Sequence, residues 1–220
     1  MKERAWAIHQ ALIDCFGEPR FTPGEDPTEM LIGTILSANT TDVNSGRAFD
    51  RLMLLGDWET IRTAPLPMII DAIRPAGMYN QKAPHIVATL ERLQSERGGY
   101  ALDDLATMPL DDALAFLTSL PGVGQKTASI VLLFCFNRGA FPVDTHIQRI
   151  TQRLGLSSPK ATPSAIQRLW EALLPPATYY PLHLNLIRLG REICTAREAR
   201  CPICPLQAWC DYARAKPISP

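Results

Sequence analysis

Leu120-Pro121-Gly122-Val123-Gly124-Gln125-Lys126-Thr127 lies between two helical patterns, and its reading decides the architecture. Upstream, Asp111 to Ser119 reads as a helix. Downstream, Val123, Thr127, Ile130, Val131 and Phe134 follow the i, i+4, i+7, i+8 spacing of a helix stripe. Pro121-Gly122 makes a tight turn, and Gly124 lets the backbone come close to another surface. The amides around Val123–Lys126 become the unsatisfied donors of a new helix N-terminus. Free amides and the helix dipole together form an anion site that suits a nucleic-acid phosphate. This is a helix–hairpin–helix pattern; an ordinary αα-corner with glycine at the bend uses the same residues.

Working outward, Lys126 falls in the first turn of the second helix, against the positive end of its dipole. That location favours the free amine, the form a nucleophile needs. The bland alternative is a solvated or phosphate-binding lysine. Eighteen residues on comes Val143-Asp144-Thr145-His146. Asp144 is placed to cap the next helix, a role that aspartate often fills for structure alone. His146, two residues later, is within reach of DNA, although a lone histidine also serves as a packing residue.

The rest of the chain is helical too. Asp26-Pro27 is a start signal before Leu31, Ile32, Ile35 and Leu36. Leu182, Leu186 and Leu189 share a face that Ile193 continues. No stretch alternates in the manner of a strand, and prolines punctuate about ten short helices. The tryptophans Trp6, Trp58, Trp170 and Trp209 read as packing residues.

At 220 residues, 46% hydrophobic and 20% charged, the chain can bury a core without staples and is not disordered. No apolar run is long enough to span a membrane, and MKERAWAIHQ has no secretory h-region. The expectation is a cytoplasmic protein, nucleoid-associated in a bacterium. The net charge of zero divides unevenly: residues 1–110 balance at −5 and residues 111–220 at +5. A basic half can meet a polyanion.

In a reducing compartment, six cysteines are thiols or metal ligands. Cys194, Cys201, Cys204 and Cys210 form C-x6-C-x2-C-x5-C within seventeen residues. Four thiolates on one short loop make a metal or cluster site. Zinc ribbons pair two close knuckles, whereas here only the middle pair is close. The spacing therefore favours a 4Fe–4S cluster, with zinc as the alternative. Arg191, Arg197 and Arg200 make this region basic and suited to phosphate contact. Cys15 and Cys135 read as buried small hydrophobes.

Together, Leu-Pro-Gly-Val-Gly-Gln-Lys-Thr-Ala (120–128), Val-Asp-Thr-His (143–146) and the four-cysteine spacing resemble the endonuclease III family of helix–hairpin–helix glycosylases. Leu31-Ile32-Gly33-Thr34-Ile35-Leu36-Ser37-Ala38 with Thr41-Asp42, and Gly77-Met78-Tyr79-Asn80-Gln81-Lys82-Ala83, resemble further family segments. The likeness runs from about residue 27 to 212.

The resemblance implies an all-α, two-module fold with a C-terminal iron–sulfur loop. A six-helix module would span residues 21–142 and carry the hairpin. Residues 1–20 and 143–220 would form the second module, with the cluster loop at 194–210. DNA would lie in a cleft where Lys126 and Asp144 meet. The implied activity is base excision on double-stranded DNA carrying oxidised pyrimidines or abasic sites, by a monomer. Lys126 would attack C1′ of a flipped-out nucleotide, Asp144 would stabilise the developing charge, and β-elimination would nick the strand. The amides of Gly122, Val123 and Gly124 would hold a phosphate near the lesion, and Gln125 would either contact that phosphate or face solvent. Asn39 and Met78 would enter the duplex at the lesion, where the family usually carries Gln and Leu. Asn39 is a methylene shorter than Gln, and Met is flexible enough to wedge.

Adenine–mispair glycosylases share the cluster spacing, but they lack the lysine and carry an early catalytic Glu absent from Leu36 to Asp42. Mismatch uracil or thymine glycosylases usually lack the lysine as well. A non-catalytic iron–sulfur DNA-binding protein is the alternative from another class; a strand-nicking assay separates it.

Overall fold

A computed structural model describes residues 1–215. It contains twelve α-helices and no strand among the described residues; the only β-type pairing is an isolated bridge between Cys194 and Ala199. No described helix is long and apolar enough to cross a membrane. The backbone divides into two units, Gly24–Phe136 and Met1–Pro23 with Asn137–Pro220. The last five residues, 216–220, lie outside the described residues although they fall within the expected 143–220 segment.

The 24–136 unit starts as its capping chemistry dictates. Asp26 accepts hydrogen bonds from the Thr28 and Glu29 amides, and Pro27 opens α2 (Pro27–Ser37). Leu31, Ile32 and Leu36 are fully buried. Thr41 caps α3 (Asp42–Met53) through the Asn44 amide, and Asp57 caps α4 (Trp58–Thr63) through Thr60. After α5 (Leu66–Ala72), the long α6 (Tyr79–Arg97) ends at Gly98 in the left-handed conformation. Then come α7 (Leu110–Ser119) and α8 (Gln125–Phe136).

α8 packs against both α2 and α7. Its buried set is Ala128, Ser129, Val131, Leu132, Leu133 and Cys135. The expected single stripe is thus too narrow: Thr127, Ile130 and Phe134 are only half-buried, while Leu132 and Leu133 are fully buried. A helix enclosed by neighbours is apolar on most of its circumference. Each fully buried leucine there contributes about 1.5–3 kcal/mol.

The other unit joins α1 (Lys2–Phe16) to α9 (Thr145–Arg153), α10 (Pro163–Leu173), α11 (Tyr179–Glu192) and α12 (Asp211–Ala215). α11 packs on α9 and α1 through the expected Leu182–Leu186–Leu189 face. Phe141 fills the core against Trp170, Tyr179 and His183, with ring centroids 5.6–6.1 Å apart. Trp170 is fully buried and donates its indole N–H to Thr151 Oγ1 at 2.9 Å. Two packing expectations fail on α1: Trp6 is 46% exposed, and Cys15 is exposed. Both lie off the α1 face that buries Ala5, Ile8 and Leu12.

Candidate functional site

The α7–α8 connection is built as a hairpin. Gly122 takes φ 75°, and the Val123 amide donates to Leu120 O at 3.1 Å. Val123 therefore spends its N–H inside the turn, so the anion-facing donors begin after it. Its side chain is buried. The α8 ladder opens with Ala128 N donating to Gly124 O at 3.0 Å. The amides of Gln125, Lys126 and Thr127 precede that first bond and emerge at the helix start. Gly122, Gly124, Gln125 and Lys126 are exposed. Lys126 thus stands in solvent in the first turn of α8, beside the exposed N-terminus of that helix.

A row on α6 holds the hairpin from beneath. Thr89 Oγ1 donates to Pro121 O at 2.9 Å, Arg92 Nη1 donates to Ser119 O, and the His85 ring lies against Gly122. These residues fall at i, i+4 and i+7, one face of the helix. A polar stripe at that spacing is indistinguishable in sequence from a solvated face.

Asp144 is the N-cap of α9; its Oδ1 accepts from the Ile147 amide at 2.8 Å. His146 is half-buried, packed beside Gly190, with Nδ1 3.2 Å from Arg149 Nη2.

Cys194, Cys201, Cys204 and Cys210 line one cavity, with Ile193 and Tyr212 among its walls. The donor set of four thiols around one space fits an iron–sulfur group. Among the described residues, no three ligating side chains converge closely enough to hold a single metal ion. Burial, followed by the neighbouring thiols, pushes Cys204 up to about 11; burial raises Cys210 as well.

Two α9 arginines anchor this loop. Arg149 donates to Cys194 O and Gly190 O at 2.8–3.1 Å. Arg153 donates to Thr195 O at 2.8 Å and contacts Cys194 Sγ at 3.2 Å, with its guanidinium over the Tyr212 ring. Arg191, Arg197 and Arg200 are exposed. The sequence reading overlooked Arg149 and Arg153 because they lie forty residues from the loop; their i, i+4 spacing on one helix was the available signal.

Asn39 and Met78 are brought together. Both take left-handed backbone, φ 55° and 47°; asparagine adopts it readily, whereas Met78 does so at about 1–2 kcal/mol. Asn39 Nδ2 lies 3.5 Å from Met78 Sδ. Near them Lys82 is buried, and desolvation pulls its pKa below the ordinary lysine value.

The chain has relatives among known proteins. A model of the HhH-GPD superfamily of base excision DNA repair proteins matches residues 32–176. The chain is similar to Endonuclease III of Thermotoga maritima, at 35% identity over 204 residues, covering 90% of this chain and 89% of that protein. It is also similar to Endonuclease III of Sulfolobus acidocaldarius, at 36% identity over 187 residues, covering 83% and 80%. Among solved structures, a trapped Endonuclease III–DNA covalent intermediate superposes with a TM-score of 0.86 at 27% identity, covering 97% of each chain.

Proposed function

The chain belongs to the HhH-GPD superfamily of base excision DNA repair proteins, and from that premise we propose that it is a bifunctional DNA glycosylase and abasic-site lyase. Its substrate is duplex DNA carrying oxidised pyrimidines or abasic sites, met as a monomer in the cytoplasm or nucleoid. The observation that carries this reading is Lys126, an exposed amine in the first turn of α8 beside the hairpin's open amides.

Lys126 Nζ attacks C1′ of the flipped nucleotide, and the base departs with the electron pair of its glycosidic bond. The amine loses a proton and the sugar ring opens to a Schiff base. That iminium acidifies the C2′ proton; its removal expels the 3′ phosphate by β-elimination and nicks the strand. The Asp144 carboxylate stabilises positive charge developing on the sugar and assists proton transfer. The hairpin around Gly122, Gly124 and Gln125 holds a backbone phosphate, and Asn39 and Met78 enter the duplex at the lesion. His146, Arg191, Arg197 and Arg200 add contacts to the DNA.

Cys194, Cys201, Cys204 and Cys210 hold a 4Fe–4S cluster, whose contribution is to cross-link the arginine-bearing loop. The trapped protein–DNA covalent intermediate of a structural relative supports a covalent mechanism.

Borohydride trapping on duplexes with an oxidised pyrimidine or an abasic site tests the reading, with Lys126→Ala as control. A covalent adduct in the native protein that vanishes in the variant is the expected result. Base release without an adduct would instead identify a monofunctional glycosylase. Binding with neither release nor adduct would identify a non-catalytic DNA-binding protein.

A further inference from the structure

Lys82 is 4% exposed, and nothing in the proposed chemistry uses it. A buried ammonium is costly unless its donors are satisfied, and a leucine or methionine would fill the same space without that cost. Lys82 Nζ donates to Leu36 O at 2.7 Å and to Ala76 O at 2.9 Å. Leu36 lies in the last turn of α2, where a cation complements the helix dipole and an otherwise orphaned carbonyl. Ala76 closes the short 3-10 turn Arg74–Ala76.

Those two carbonyls lie three residues before Asn39 and two before Met78. One ammonium therefore ties together the two loops whose tips take left-handed backbone and touch at 3.5 Å. Strained conformations of this kind persist where surrounding structure over-determines them. Lys82 supplies that restraint to both loops from a single atom.

We propose that Lys82 is a positioning residue for nucleotide flipping: it sets the spacing of the Asn39 and Met78 loops so that both side chains enter the duplex together. The proposal rests on the glycosylase reading above and adds the element that holds its wedge in register. Lys82 touches no substrate and acts through the loops.

The test compares wild type with Lys82→Met, which keeps the stem and removes the donors. Flipping is read by 2-aminopurine fluorescence beside the lesion in a duplex. Excision is read by single-turnover kinetics on the same duplex, and amine chemistry by nicking of a single-stranded abasic oligonucleotide. Misplacing a positioning group by about 1 Å costs on the order of 100-fold. We expect flipping and duplex excision to fall by about 10- to 100-fold, with single-strand nicking within about twofold of wild type. In a Met78→Ala background the same substitution should cost about twofold or less, because the two residues act through one wedge.

If Lys82→Met does not fold, Lys82→Gln, whose donors sit on a stem too short to reach both carbonyls, must show the same split. A folded variant with unaltered flipping and excision overturns the proposal. Equal losses on duplex and single strand, or full additivity with Met78→Ala, do so too. A wild-type protein that neither flips nor nicks overturns the glycosylase reading and this one with it. An active wild type with an equally active Lys82 variant overturns this one alone.

Discussion

Placing a single methyl group on Gly122 tests how the hairpin is built. Gly122 sits at φ 75°, where an L-residue costs about 1–2 kcal/mol. The added Cβ of Gly122→Ala would lie 2.7 Å from His85 Nδ1 and 2.9 Å from His85 Cβ and Cγ. Overpacking of that order costs about 1–3 kcal/mol, offset by about 0.4–1 kcal/mol from the stiffer unfolded chain. The net loss is about 1–5 kcal/mol, which lowers the urea midpoint by about 0.5–2.5 M at a slope near 2 kcal/mol per molar.

The contacts can be separated. The imidazole can swing about χ1, but His85 Cβ is fixed to the α6 backbone. Adding His85→Ala therefore relieves the Nδ1 and Cγ contacts and leaves both the φ cost and the contact to Cβ. The double variant should recover about half the loss or less. Urea titrations of wild type, both single variants and the double variant, followed by circular dichroism, supply the four midpoints. A Gly122→Ala midpoint indistinguishable from wild type would refute the turn geometry. Complete recovery in the double variant would refute the argument that Cβ is the fixed obstacle.

Other outcomes follow from residues with known surroundings. Asp144→Asn keeps an N-cap side chain and should leave stability within about 0.5 kcal/mol, whereas Asp144→Ala should lose about 1 kcal/mol. If the carboxylate acts in the chemistry, Asp144→Asn still nicks at least about 100-fold more slowly in single-turnover assays; nicking at the wild-type rate would reduce Asp144 to a cap. Burial lowers the pKa of His9, so the unfolded chain takes up a proton near about pH 6.5 that the folded ring refuses. Its contribution is complete above that pH and is lost as pH falls below it. Urea midpoints at pH 7 and 5 should therefore differ less in His9→Gln than in wild type, and equal pH slopes would rule His9 out. Cys204→Ser removes one of four ligands and should abolish iron and sulfide in metal analysis; a wild-type protein that binds one zinc instead would reverse the cofactor assignment.

Much of the frame was legible because it rests on local chemistry. Asp26-Pro27 announced α2, Pro121-Gly122 announced the turn before α8, and four closely spaced cysteines announced a shared cavity. What remained hidden depends on partners distant in sequence. Lys82 is buried, yet a lone lysine in a helical pattern defaults to the surface. His85, Thr89 and Arg92 look like a wet face until the hairpin is laid upon them. Arg149 and Arg153 reveal their role only once Cys194 to Ala196 is placed beside them. The opposite error occurred at Trp6: an aromatic residue suggests burial, but its angular position on α1 turns it toward solvent. α8 was read as one-sided because periodicity reports the clearest stripe and misses neighbours on the other sides.

The discontinuous unit has a consequence for the order of events during synthesis. α1 leaves the ribosome well before its packing partner α11, which begins at Tyr179. Asn185 Nδ2 donates to Gly17 O, and Arg4 donates to Leu154 O, so both anchors come from distant parts of the chain. At about 5–20 residues per second, α1 waits roughly 10–30 s for α11 to be made. Residues 24–136 are one continuous stretch and can close during that interval. Until α11 is made, the nascent chain carries α1 with its buried face Ala5, Ile8 and Leu12 uncovered, which makes residues 2–16 a place for a chaperone to hold and for a stalled chain to aggregate.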